Sequence, residues 1–243
     1  MAMASRCAPL FYATALALTL AVPSFAASLE VAPTTLRIDA STGVTVLQLA
    51  NRGSDPIIVQ IEGLGWQQSG ASEELKPSEF VIVSPPMARI KPGEKQTVRI
   101  LVRPGGAPGM ERAFRILASE LPDPASTSPQ AVRVLLQFSI PLFAGAPAAA
   151  PPQLSWDASV RGNELLLSGH NLGLTHIKLA KLELSTESGQ RVGAAQGLSY
   201  VLAGATHEWK VAPASVLPGD RLLIEGHAED SDAVIRGAVV VRP

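Results

Sequence analysis

The chain is almost without cysteine. Its single thiol, Cys7, sits near the N-terminus, ahead of every segment that reads as structured. Disulfides and a thiol nucleophile are therefore excluded from the body of the protein, and its folding must rest on apolar burial. Histidine is sparse as well. The four residues His170, His176, His207 and His227 all fall in the second half, none in the close-spaced pairing that zinc sites use. Each reads as a satisfied or exposed side chain. A G-x-S-x-G elbow and a phosphate-cradling glycine loop are both missing, and Gly105-Gly106 reads as a turn after Pro104. Glu73-Glu74, among Ser69, Gly70 and Ser72, reads as a solvated loop. These absences point away from an enzyme, a cofactor and a metal site. An excess of positive charge is also lacking, since the formal net charge is −1. Neither nucleic acid nor an anionic membrane is implied as a partner.

A long 3.6-residue periodicity is absent, and only the N-terminus holds a long apolar run. Arg6 is the one charge before Glu30, and residues 8–22 are apolar. Pro23-Ser24-Phe25-Ala26 follows, with small residues placed for signal peptidase cleavage after Ala26. The run is short for a membrane span. An exported chain is expected, with residues 1–26 as signal peptide. The remainder, 243 − 26 = 217 residues, suits two domains.

What the chain does have is punctuation. Gly and Pro number 20 each, and short runs rich in Val, Ile, Leu and Thr lie between them. Strands are expected near 29–31, 44–51, 57–66, 80–84, 96–103 and 114–121. A second set is expected near 154–156, 164–169, 177–185, 197–201, 206–211, 220–226 and 233–241. Such spacing argues for all-β sandwiches. Residues 144–152 read A-G-A-P-A-A-A-P-P, an uncharged, stiff connection. The expectation is a domain over 27–145, a linker over 146–152 and a second domain over 153–243.

Residues 131–143 read A-V-R-V-L-L-Q-F-S-I-P-L-F. Period-two alternation over about ten residues is one long strand. Pro141 cannot donate to a ladder, so one side of its C-terminal end should be unpaired. It is either an ordinary central strand or an edge kept open to pair with another chain.

Several segments together resemble the periplasmic chaperones of the chaperone–usher pathway, the PapD-like family, and within it the archaic class. They are Ser84-Pro85-Pro86-Met87-Ala88-Arg89-Ile90-Lys91-Pro92-Gly93, Asn51-Arg52-Gly53 with Val59-Gln60-Ile61 and Trp66, Glu111-Arg112 with Phe114, and Phe138-Ser139-Ile140-Pro141-Leu142-Phe143. The resemblance implies two tandem immunoglobulin-like β-sandwich domains at an angle, a boomerang. It implies a chaperone without cofactor or ATP that completes the sheet of a pilin-like subunit by lending it a strand, then delivers it to an outer-membrane usher. It also allows the free protein to shield that strand by pairing with a second copy.

By the family register, Val132, Val134 and Leu136 fall on groove-filling positions, with Phe138 next on the same face. Burying each would contribute about 1.5–3 kcal/mol. The opposite register would turn this row onto the domain's own core and Arg133 and Leu135 outward. The family's carboxylate-holding Arg and Lys align with Thr35 and Pro141, neither of which can bind an anion. Arg37 and Arg89 are the candidate replacements, because a guanidinium grips a carboxylate in bidentate fashion. A structural or adhesive subunit built from sandwich domains is the rival reading.

Overall fold

The computed structural model describes residues 29–39, 42–106, 109–124, 134–145, 153–162, 164–211, 216–229 and 234–243, and all its regular elements are strands. The expected signal peptide, linker and first three residues of the donor segment lie outside the described residues.

Alternation in sequence becomes alternation in burial. In β3 (Val44–Asn51) and β8 (Lys95–Val102), Leu47, Leu49, Val98 and Ile100 are fully buried, while Val46, Gln48, Thr97 and Arg99 face solvent. The two strands pair antiparallel between β1 (Leu29–Ala32) and β6 (Val81–Ser84) in a four-stranded sheet. The facing sheet runs β2 (Leu36–Ile38), β10 (Gln137–Ala144), β9 (Arg112–Leu121), β4 (Ile57–Ser69), β5 (Ser72–Pro77), with β7 (Met87–Ile90) also on β4. One core fills the space between these sheets.

The second half builds its own core from β11 (Leu154–Arg161), β12 (Glu164–Asn171) and β15 (Thr206–Val211) against β13 (Ile177–Thr186), β14 (Arg191–Val201), β16 (Arg221–Ala228) and β17 (Val234–Arg242). A short parallel pairing of Ala158 and Ser159 with Val241 and Arg242 joins the two sheets. Both halves use the same corner device. Asn51 and Asn171 are fully buried, and each accepts from a glycine N–H two residues on and donates to two carbonyls.

Three strands were not expected from the sequence. β2 and β7 are short, and β5 reads S-E-E-L-K-P with every side chain exposed, so burial imposes no apolar period on it. β14 begins at Arg191 rather than near 197. The Glu73-Glu74 loop is corrected accordingly. Both residues lie on β5, and Glu73 accepts hydrogen bonds from Trp66 Nε1 at 3.2 Å and Gln68 Nε2 at 2.9 Å.

A third apolar cluster spans the two halves. Trp66 and Phe143 from the first pack with Tyr200 and Leu202 from the second. Gln68 locks onto the second half by donating to Tyr200 O and accepting from Leu202 N, both at 2.9 Å. His176 stacks on Phe143 with ring centroids 3.5 Å apart, and its Nδ1 lies 2.6 Å from the buried Glu111 carboxylate.

Candidate functional site: an open strand edge leading into a cleft

The site is built on β10. Glu120 N donates to Leu136 O at 2.8 Å, and the register then pairs Gln137 with Ser119 through Ala144 with Arg112. Even-numbered residues therefore exchange bonds with β9, while Gln137 and Ser139 turn their backbone groups the other way. On that other side β2 takes up pairing only from Leu142. Among the described residues, no strand pairs with 137–141 there. Pro141 falls on the open side, where its missing N–H costs the ladder nothing.

The strand is shorter than its alternation predicts. Residues 134–136 are described but carry no strand pairing beyond the Leu136 carbonyl, and β10 starts at Gln137. Val132 lies outside the described residues. Val134 is 75 % exposed. Leu136 and Phe138 are half-buried and pack on the domain's own core, continuous with the fully buried Ile140 and Leu142. From Leu136 onward the free chain thus adopts the inward register set against the donor register above.

The open edge runs into a cleft of about 520 Å³ between the halves, lined by Thr35, Ser139 and Pro141 on one side and Ser199, Tyr200 and His207 on the other. Thr35 and Pro141, where the resemblance expects anion-holding groups, do face this cleft. Arg37 and Arg89 do not line it. Arg37 lies 5.9 Å from the Phe143 ring, and Arg89 on β7 pairs with Asp123 at 2.7 Å within the first domain.

Sequence reasoning missed the cleft's guanidinium, Arg115 on β9. It lies 3.8 Å from the centre of the Trp66 ring and 5.5 Å from that of Tyr200, and its Nη1 donates to Ser139 O at 3.5 Å. Among the described residues no carboxylate comes within 4.0 Å of it. Burial pulls its pKa below the ordinary arginine value, against smaller opposing effects of Glu73 and Tyr200. It remains charged at any physiological pH. Lys178, also in the cleft wall, holds Glu229 at 2.7 Å. The signal available in sequence was position: Arg115 follows Phe114, and alternation aims it away from the core that Phe114 fills.

Fold and site together define a two-sandwich protein in which an open strand edge runs into a cleft that holds Arg115. Residues 28–150 match the family of pili and flagellar-assembly chaperones, PapD N-terminal domain. The chain belongs to this family of pilus-assembly chaperones, which are not enzymes. It is 28 % identical over 222 residues to the chaperone protein FimB/FhaD of Bordetella pertussis, covering 84 % of this chain and 80 % of that one. It is similar in fold to the chaperone of the CsuC–CsuE pre-assembly complex from archaic Csu pili of Acinetobacter baumannii, with a TM-score of 0.70, 24 % identity and coverage of 89 % and 100 %. A similar likeness holds to a chain of the SafA pilin–SafB chaperone complex of Salmonella enterica, with a TM-score of 0.57, 18 % identity and coverage of 90 % and 98 %. The two tandem immunoglobulin-like domains expected from the sequence are those of this family.

Proposed function

We propose that this chaperone captures a pilin-like subunit in the periplasm by adding the open edge of β10 to the subunit's unfinished sheet, and hands it on to an outer-membrane usher. The observation that carries the reading is the unpaired edge at 137–141, which ends at the cleft. Main-chain bonds to Gln137 and Ser139 supply affinity, and Val132 and Val134 enter the subunit's groove. Leu136 and Phe138 brace the strand from inside.

Arg115 serves as anchor for the subunit's terminal carboxylate, in preference to Arg37 or Arg89. A half-buried guanidinium with no carboxylate in direct contact among the described residues gains a charge-assisted bond from an arriving one. Because the cleft lies at the C-terminal end of the open edge, a guest strand ending there runs parallel to β10, in the column that β2 occupies further on.

Amide exchange on the full chain with and without the captured subunit tests the reading. Gln137 and Ser139 should become protected on capture, and equal exchange in both states overturns it. Arg115→Ala should lower retention of the subunit about tenfold or more, the scale of a lost charge-assisted bond of about 1.5–3 kcal/mol. Arg37→Ala and Arg89→Ala, compared in the same pull-down, should have little effect.

A further inference from the structure

The cleft holds a histidine that the anchoring scheme does not use. His207 on β15 lines the same cavity as Arg115, Ser139 and Pro141. Its ring stands edge-on to Trp209, with centroids 4.7 Å apart at 67°. Among the described residues, its buried Nδ1 has no hydrogen-bond partner. This corrects the expectation that every histidine would be satisfied or exposed. His170 Nδ1 has Thr206 Oγ1 at 2.9 Å, His176 has Glu111 and His227 has Glu225 at 3.4 Å, so among the described residues the histidine with a buried, unpartnered nitrogen is the one at the cleft.

We propose that His207 is a client-contacting residue of the cleft, and that seating a chain-terminal carboxylate beside it takes up a proton from solvent onto the imidazole. The proposal rests on the edge-capture reading above. The charges decide the direction. Glu73 of β5 and Glu208 of its own strand act on the ring by their charge, and Arg115 of β9, Lys178 of β13 and Tyr200 of β14 line the same cleft. Lys178 is offset by Glu229, and among the remaining groups Glu73 and Glu208 outweigh Arg115 by one negative charge in the empty cleft. An incoming carboxylate offsets Arg115 and leaves Glu73 and Glu208 both uncompensated near the ring. An imidazolium offsets part of that negative excess.

Burial holds the His207 pKa below the ordinary histidine value in the free protein, with Glu73 and Glu208 opposing. At neutral pH the ring is therefore uncharged before capture, and a carboxylate guest raises its pKa. A group whose pKa rises on binding makes binding tighter as pH falls, starting below its bound-state pKa and complete below its free-state pKa.

The test uses the full chain and two synthetic probes, Ac-(Val-Thr)4 as the free acid and as the C-terminal amide. His207 is followed by imidazole NMR and the β10 edge by amide exchange. The acid should slow exchange at Gln137 and Ser139, raise the His207 titration midpoint by about one unit, and bind about tenfold tighter at pH 5 than at pH 8. The amide should slow exchange without moving the midpoint. His207→Gln should flatten the pH profile of the acid peptide, and the wild-type NMR titration stands if that variant misfolds. Protection of the edge with an unmoved midpoint overturns the role of His207 and leaves edge capture intact. No protection by either peptide overturns edge capture, and the inference with it.

Discussion

Asn51 and Asn171 show how much of this fold hangs on single buried amides. Asn51 Nδ2 donates to Asp55 O at 2.7 Å and Ile90 O at 3.0 Å, and its Oδ1 accepts from Gly53 N at 2.9 Å. Asn171 repeats the pattern with Thr175 O, Val201 O and Gly173 N. The sequence shows both as N-x-G. What it does not show is the long-range carbonyl that each amide satisfies across the corner. Asn51→Ala leaves the buried Ile90 carbonyl and two part-buried groups, Asp55 O and Gly53 N, without this partner, at roughly 1–3 kcal/mol for each that water does not reach. We expect a loss of about 3 kcal/mol in urea unfolding. Asn51→Asp should lose nearly as much, because a carboxylate keeps the acceptor but faces the two carbonyls with no donor.

At the scale of the element, β10 carries two tasks along one strand. Its even residues from Leu136 to Ala144 belong to the first core, and among the described residues no strand pairs with its odd backbone positions from Gln137 to Pro141. Variants can therefore separate folding from capture. Ser139→Pro removes an N–H on the open side only, as Pro141 already does, so it should abolish subunit retention while urea unfolding shifts by less than about 1 kcal/mol. Val134→Arg places charge on a residue that is 75 % exposed, and should block capture with the same small effect on stability. Leu136→Arg is a poorer probe, because that side chain is packed on the core and its loss would weaken the fold itself. Alternation made this strand the most legible feature of the sequence. Which row faced inward was not legible, because both rows contain apolar residues: Leu135 and Phe143 in one, Leu136 and Phe138 in the other.

In the whole molecule, Phe143 joins the open edge to the second domain. It is 1 % exposed, stacked on His176 and set among Trp66 and Tyr200. Phe143→Ala should cost on the order of 3–5 kcal/mol, taken mainly from docking between the domains, since both cores lie elsewhere. The expected signature is a larger radius of gyration in X-ray scattering, with each half still cooperatively folded. A single undivided loss of structure on heating would contradict that division. Subunit retention should fall as well, because the cleft is walled by both halves.

The sequence alone determined the all-β class, the division into two sandwiches, and the strand at 131–143 as the segment to watch, because period-two burial and Pro/Gly punctuation are local. The cleft was decided only by tertiary structure. Arg115, Glu73, Tyr200 and His207 are brought together from β9, β5, β14 and β15, separated by up to 134 positions in the chain. No spacing rule connects residues that meet across an interface between two domains. Whether an arginine there is paired, stacked or left with a carboxylate to find depends on what the facing domain supplies.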